Sequence, residues 1–466
     1  MPTSYTAPHI PLLLAVSSFL YLINVAETSF SRLFNAGLLG PLCVGIVFGA
    51  DVANILPEAL QDTFVTLGYI GLLLIVFEAG LSTDIALLFD NILLSCVVAM
   101  SGMGLPIAFS MFLLHFGYGY TAREAFAAGA ALCSTSLGTT LSVLKPAYRG
   151  TRTGTVLLAA ALLDDIGGLV IAGILSQLAA YGTATSTVPW HIIVRPILVS
   201  FGFAFGVPAL AVGARYLLKK VASARLSLPT AQLFVLVATL SGFVAGAKYA
   251  GTSELFGAYL AGAFLTYTFS TAAPTSPRQS DEDLPPPVRT FHRHIAPLLQ
   301  ILLSPLFFAS IGSALPIRSL GTVEGSHRVI WRGIVYSLLM AISKVVVGLW
   351  MLIWPDWDAG RGWFGRHVHR PTGDVVEDID NDEGATSLQD LSPSSDFTAT
   401  RSAALVGLAM IARGEIALIV AEIARPLLDS TSLEPFAVVM WATLLNTAGG
   451  AAAVGFLLRE RKTTRG

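Results

Sequence analysis

Three ionisable side chains occupy the middle of long apolar stretches: Asp164, Asp165 and Lys344. An ionisable group at the bilayer centre costs at least ~2.5–3.5 kcal/mol on insertion scales, so each is a functional candidate by default. The two acids lie about twelve residues into one apolar segment and the lysine about twelve residues into another, which predicts a similar depth for all three. Adjacent residues on a helix point in different directions, so the two carboxylates can serve different partners.

This trio suggests cation and proton chemistry. Hard cations prefer oxygen ligands, and a carboxylate supplies both oxygen and negative charge. Burial and a neighbouring like charge both favour the protonated form of a carboxyl group. One acid can then hold either a proton or a cation, but not both. A pair of Lys344 with an aspartate that breaks when the cation binds would carry a proton, whereas a fixed structural ion pair is the alternative.

Two further apolar segments are interrupted where their pattern should be cleanest. One interruption is a run of hydroxyls around a glycine, and the other places two charges around a glycine. Backbone unwinds at membrane depth only where protein or a water-filled cavity satisfies its polar groups; the alternative is a continuous helix whose hydroxyls bond back to its own backbone. We interpret the charged residues as holding crossed half-helices together. The candidate residues are Thr135, Ser136 and Gly138 in the first interruption, and Arg413, Gly414 and Glu415 in the second.

The elements that position these residues are membrane spans. The chain has 466 residues, of which 54% are hydrophobic and 12% charged, whereas soluble domains carry about 25% charged residues. Apolar runs of roughly 20 residues recur along it, which is typical of a polytopic membrane protein. We predict about thirteen helices, at residues 10–25, 33–50, 62–82, 89–114, 122–144, 153–179, 191–214, 228–247, 252–270, 295–316, 332–354, 402–424 and 435–458.

Charge and motif content exclude several classes of protein. The net charge of −2 gives no general basic footprint for nucleic acid. The chain contains no phosphate-binding loop of the G-x-x-x-x-G-K-[ST] kind, which argues against ATP-driven pumping. We expect no enzyme activity, no cofactor and no metal beyond a transported monovalent cation. Glu78, Glu254 and Glu422 lie near helix ends and are interpreted as interface or network groups.

The loops set the predicted orientation. With thirteen spans, nineteen basic residues fall on one side of the membrane and seven on the other. Because cytoplasmic loops are enriched in lysine and arginine, the sequence predicts an extracellular or lumenal N-terminus and a cytoplasmic C-terminus. It does not distinguish the plasma membrane from an endomembrane.

An inverted repeat is predicted at an offset of seven helices. Gly40 and Gly45 in the second span match Gly257 and Gly262 in the ninth, and Leu162–Gly168 in the sixth matches Leu444–Gly450 in the thirteenth. An odd offset reverses the direction of the second copy, which is typical of secondary transporters with a site at the repeat interface.

The repeat suggests a division of the chain into five parts. Residues 1–270 hold the first repeat, a linker helix and the start of the second repeat. Residues 271–294 form a cytoplasmic loop, residues 295–354 continue the second repeat with Lys344, and residues 355–401 form an acidic, disordered cytoplasmic loop. Residues 402–466 complete the second repeat and end in a short cytoplasmic tail.

These motifs together resemble the monovalent cation/proton antiporter superfamily, the sodium/hydrogen exchangers, in the branch of the bacterial electrogenic sodium/proton antiporters. The resemblance spans roughly residues 33–458, without the long loops. It rests on Leu163-Asp164-Asp165-Ile166-Gly167, Ser134-Thr135-Ser136-Leu137-Gly138, Ser304-Pro305-Leu306-Phe307-Phe308, Ser343-Lys344-Val345 and Ala412-Arg413-Gly414-Glu415-Ile416.

The resemblance implies an inverted-repeat antiporter fold with two crossed, unwound helices, a core domain beside a dimerisation domain, and an elevator-like movement of the core. It gives the cation to Asp165, a salt bridge with Lys344 to Asp164, and an oxygen near the crossing to Thr135. Ser136 stands where some bacterial relatives carry a third acid. The paired aspartates with a lysine are associated with electrogenic exchange.

The predicted function is exchange of sodium for protons by alternating access in a homodimer, with lithium as a second candidate cargo and with a role in pH homeostasis. Potassium/proton exchange is the first alternative, because oxygen sites of this kind separate the ions by small differences in cavity size. A channel or a transport-inactive sensor on the same scaffold is a second alternative, and an organic-anion symporter a third. A sensor has no reason to maintain three costly charges at the midplane.

Overall fold

The computed structural model describes residues 9–34, 36–83, 92–136, 151–181, 189–221, 229–269, 285–323, 325–354 and 399–459. Within these ranges the protein is helical, apart from one isolated bridge between Val323 and Ser326. Nine of the described helices are long and apolar enough to cross a membrane. The predicted class of all-α polytopic membrane protein is confirmed, whereas the count of thirteen spans stays a prediction.

All thirteen predicted spans coincide with helical residues. Four of these spans coincide with helices that are short or interrupted. In chain order the helices are α1 (Ile10–Phe34), α2 (Leu39–Phe48), α3 (Glu58–Leu81), α4 (Ile92–Gly117), α5 (Ala122–Ala131), α6 (Arg152–Tyr181), α7 (Trp190–Val221), α8 (Pro229–Ala250), α9 (Glu254–Phe269), α10 (Ala296–Ala314), α11 (Arg328–Ile353), α12a (Ala399–Ala409), α12b (Glu415–Leu428) and α13 (Glu434–Arg459).

Two predicted loops are only partly described. Residues 286–294 of the predicted loop 271–294 form a short helix, Pro286–His294, which begins with prolines at its first two positions and buries Val288 and Phe291. Proline suits the first turn of a helix because its missing N–H would have no partner there. Of the predicted acidic loop 355–401, residues 355–398 lie outside the described ranges, and the last three residues begin α12a.

The helices form two bundles. The frame bundle consists of α1, α2, α3, α8, α9 and α10, and the core bundle consists of α4, α5, α6, α11, α12a, α12b and α13. Helix α7 packs against α9 of the frame bundle and α6 of the core bundle. The core bundle corresponds to the predicted core domain and carries the candidate residues, whereas the dimerisation role of the frame bundle stays a prediction.

Close packing inside the frame bundle depends on glycine. Gly45 of α2 and Gly312 of α10 each face backbone of the other helix so closely that a Cβ would overlap it, and Gly262 of α9 and Gly80 of α3 do the same. Gly45 meets the carbonyl of Ala309 and Gly312 meets that of Leu42. Gly262 meets the carbonyl of Phe77 and Gly80 meets that of Tyr259. In each case the carbonyl lies three residues before the glycine of the facing helix. Small residues let membrane helices approach closely enough for backbone contact.

The glycine contacts between α2 and α10 and between α9 and α3, called the glycine seams here, are copies of each other. The predicted repeat equates α2 with α9 and hence α3 with α10, so the α2–α10 pair becomes the α9–α3 pair. Gly45 then corresponds to Gly262 and Gly312 to Gly80, and the carbonyl that each one meets corresponds as well. The inverted repeat predicted from glycine spacing therefore holds at the level of individual contacts.

The seam predicts that Gly262→Ala destabilises the protein while Gly242→Ala does not. The two substitutions add the same methyl group to a helix, but only at Gly262 does it meet the Phe77 carbonyl; at Gly242 it meets no atom within 4 Å. Overpacking of this kind costs roughly 1–3 kcal/mol, against a gain of about 1 kcal/mol from replacing a helical glycine. Thermal melting in detergent should show a lower midpoint for Gly262→Ala alone; equal midpoints would contradict the seam.

Candidate cation-binding site

The site begins where two helices stop. Helix α5 ends at Ala131 and residues 132–136 continue without helical structure, while residues 410–414 separate α12a from α12b. The start of α5 is fixed by a capping box, in which Thr121 and Glu124 each accept the other's backbone N–H. That box sets the depth at which the hydroxyl run leaves the helix.

The two interruptions cross and satisfy each other. The backbone N–H of Ser136 donates to the Ala412 carbonyl at 3.0 Å, and Arg413 Nη1 donates to the Ser134 carbonyl at 2.8 Å. Gly414 packs against the Ser136 side chain, where a Cβ would leave only 2.6 Å to the hydroxyl oxygen. The predicted crossing of two unwound helices is confirmed. Gly138, predicted to belong to it, lies outside the described residues.

Arg413 and Glu415 lie on either side of Gly414. The Arg413 side chain is fully buried, and its backbone carbonyl accepts a hydrogen bond from Thr447 of α13 at 3.0 Å. Glu415 is half-buried at the first position of α12b, where a carboxylate faces the positive end of the helix dipole.

A hydrogen-bonded triad occupies the core bundle beside the crossing. Lys344 Nζ on α11 lies 2.8 Å from Asp164 Oδ2 on α6, and both side chains are fully buried. The lysine also donates to Thr135 Oγ1 at 3.0 Å, and that hydroxyl donates to Asp164 Oδ2 at 2.8 Å. The structure thus brings together three residues that lie far apart in sequence.

Asp165 takes no part in this triad. Its side chain is 9% exposed, and its Oδ1 atom has no hydrogen-bond partner. It interacts electrostatically with Asp164 and Glu415 of the core bundle and with Tyr259 of the frame bundle. Asp165 is therefore the candidate acid at the boundary between the two bundles.

The sequence did not single out Ser134 as a site residue. Ser134 is buried, and its hydroxyl oxygen lacks a hydrogen-bond partner, as do Asp164 Oδ1 and Asp165 Oδ1. It packs against Gly168, one helical turn beyond the aspartates. Ser136, which was singled out, instead packs on Gly414 with its backbone bonded across the crossing.

The charges of the site do not cancel. With every group ionised, Asp164, Asp165 and Glu415 contribute three negative charges, and Lys344 and Arg413 contribute two positive charges. A buried uncompensated charge is costly, so a proton or a cation bound here is stabilised. The carboxylate and hydroxyl oxygens are the donor set that a hard cation prefers.

The chain matches known proteins along most of its length. Residues 15–459 match the family described as "Sodium/hydrogen exchanger, transmembrane". The chain is 27% identical over 333 residues to the high-affinity Na(+)/H(+) antiporter NhaS3 of Synechocystis sp.. The matched region covers 68% of this chain and 66% of NhaS3, which is just under two thirds of that protein. It is 25% identical over 395 residues to the Na(+)/H(+)-K(+) antiporter GerN of Bacillus cereus, which covers 84% of this chain and 82% of that protein.

The fold also has a solved counterpart. It is similar to the sodium proton antiporter MjNhaP1 from Methanocaldococcus jannaschii at pH 8, with a TM-score of 0.65 and 14% identity over 97% of this chain and 99% of that chain. At this identity the likeness concerns the fold alone. The family match over nearly the whole chain decides the assignment: this protein belongs to the transmembrane sodium/hydrogen exchanger family.

Proposed function

We propose that the protein exchanges sodium for protons by alternating access, with lithium as a second candidate cargo, and that the exchange is electrogenic. The observation that carries the proposal is the buried Lys344–Asp164 pair, bridged by Thr135, beside an aspartate with an unpartnered oxygen. Of the relatives' printed activities, sodium/proton antiport is common to NhaS3, GerN and MjNhaP1.

Asp165 is the proposed cation ligand, with Asp164, Thr135 and Ser136 as the additional oxygen donors predicted from the sequence, and Ser134 as a further candidate because its buried hydroxyl lacks a partner. A cation at Asp165 Oδ1 neutralises the excess negative charge of the site. A proton on the same carboxyl does so equally, and the two exclude each other because they use the same oxygen. This competition couples cation movement to proton movement without any covalent step.

Alternating access is supported by the division into bundles. All five charged residues of the site belong to the core bundle, while Asp165 lies at the boundary with the frame bundle. A displacement of the core bundle along the frame bundle would carry the whole site and expose Asp165 first to one side and then to the other. A homodimer held by the frame bundle, with the N-terminus extracellular or lumenal, completes the proposal.

The first prediction of this proposal is that Asp165→Asn abolishes cation-driven proton movement. The amide keeps the shape of the side chain but cannot exchange a proton for a cation. In proteoliposomes with an imposed pH gradient and an internal pH dye, addition of sodium, lithium or potassium in separate samples should give no more proton movement than protein-free vesicles.

Asp62→Asn is the matched control, since it makes the same chemical change at an exposed position of α3. It should exchange at the wild-type rate. Dissipation of the gradient by Asp165→Asn at equal protein density would show that the ligand is elsewhere. A wild-type response to potassium alone would replace sodium with potassium as the cargo.

The second prediction is that Lys344 makes the exchange electrogenic. When a cation is bound, both aspartates are ionised and Lys344 is neutral, so the two aspartates, the lysine and the cation together carry a net charge of −1. With protons on Lys344 and Asp165 and with Asp164 ionised, the same groups carry 0. Two protons then exchange for one cation, and the one charge moved is worth about 2.3 kcal/mol per 100 mV.

Lys344→Gln should give an electroneutral carrier if it turns over. Without its partner, the buried Asp164 stays protonated through the cycle, so one cation exchanges for one proton. Currents on a solid-supported membrane should be seen for the wild type and should vanish for Lys344→Gln while its dye-detected exchange persists. The double variant Asp164→Asn/Lys344→Gln removes both partners and provides a second test in case the single variant misfolds. Absence of current from active wild-type protein, or an unchanged current from an active variant, would contradict the assignment.

A further inference from the structure

One arginine bonds the two bundles together away from the cation site. Arg425, near the end of α12b, donates from Nη1 to the carbonyl oxygen of Ala314 at 3.1 Å. Ala314 is the last residue of α10 in the frame bundle, and the last carbonyls of a helix have no partner within the helix. The contact lies on the face of the membrane that carries Thr121 and Asp429, called the outer face here in keeping with the predicted orientation.

The other partners of the guanidinium all belong to the core bundle. Its Nε atom lies 3.3 Å from Asp429 Oδ2, and Nη1 lies 3.6 Å from Glu422 Oε2. Its central carbon stands 4.8 Å from the centre of the Phe436 ring of α13. Two carboxylates and one ring therefore hold Arg425 to the core bundle, and its bond to Ala314 crosses to the frame bundle.

The position of Arg425 along α12b connects it to the site. Glu415, which interacts electrostatically with Asp165, and Glu422, which binds Arg425, are seven residues apart. Seven residues are close to two helical turns, so both side chains leave the same face of α12b, about 10 Å apart along its axis. Arg425 thus lies at the outer end of the helix face that leads to Asp165.

We propose that Arg425 is a positioning residue that closes the outer end of the cleft between the bundles, and that it must release the Ala314 carbonyl before Asp165 reaches the outer solution. The inference rests on the alternating access proposed above. Since three of its partners stay with the core bundle, the guanidinium remains bound to Glu422, Asp429 and Phe436 when the bundles separate. Of the described contacts of Arg425, only the hydrogen bond to Ala314 then has to break.

The test measures access to the cleft without requiring transport. Ile419 is 2% exposed and lies between Glu415 and Glu422 on α12b. Ile419→Cys provides a buried thiol on the face of α12b between Glu415 and Glu422, and the parent chain sets the background from Cys43, Cys96 and Cys133. A membrane-impermeant methanethiosulfonate reagent is applied to each face of oriented vesicles in separate samples.

Adding Arg425→Gln should speed labelling of the new cysteine from the outer face by about tenfold, which corresponds to ~1.4 kcal/mol in the opening equilibrium. Arg332→Gln is the matched control. Arg332 also lies at the outer face and pairs with Glu434 at 2.7 Å, but both residues belong to the core bundle. Its loss should leave the labelling rate unchanged.

Labelling that is no faster in Arg425→Gln, or that rises equally in Arg332→Gln, would overturn the proposal. If Arg425→Gln does not yield folded protein, Arg425→Lys takes its place under the same criterion, because a lysine cannot span both carboxylates and the carbonyl. Failure of wild-type protein to exchange cations would defeat the proposed function but leave the labelling result intact, so the two outcomes are separable.

Discussion

The rest of the structure depends on how charge is held in a low-dielectric interior. Lys344 and Asp164 are fully buried at 2.8 Å from each other, and removing one partner of such a pair leaves a charge with no compensation. Thr135 lies within hydrogen-bonding distance of both. Asp165 stays outside this triad, and its Oδ1 atom, which has no hydrogen-bond partner, is available to an arriving cation or proton.

The broken helices follow from the same constraint. Two unwound segments expose backbone groups at membrane depth, and these groups must be satisfied by protein. The segments do this for each other through Ser136 and Ala412 and through Arg413 and Ser134. A continuous helix would bond internally, whereas the unwound segment places the Thr135 hydroxyl 2.8 Å from Asp164 Oδ2.

How far the sequence predicts this site depends on the kind of structure around each residue. Lys344 could be paired with an aspartate because a midplane charge demands a partner and because the motif resembles a known family. The unpartnered hydroxyl of Ser134 could not be predicted, since side-chain direction in an unwound segment has no helical period from which to be read. The reach of Arg425 to Ala314 depends on the packing of two bundles, and in sequence it looks like an ordinary basic residue at a helix end. The bounds of α2, α5 and α12a differ from the predicted ones because these helices stop short of a full span, and α1 runs nine residues past its predicted end at residue 25.

The paired glycine seams have a consequence for how such a chain can change over time. In each seam the contact is made by main chain on one side and by the absence of a side chain on the other, so it does not depend on which residues cover the outer surfaces of the helices. Lipid-facing positions can therefore drift freely as a lineage moves between bilayers of different composition, while the angle at which the two repeats meet is inherited. Drift at a seam glycine is far more constrained, because any new side chain there would overlap the carbonyl of the facing helix.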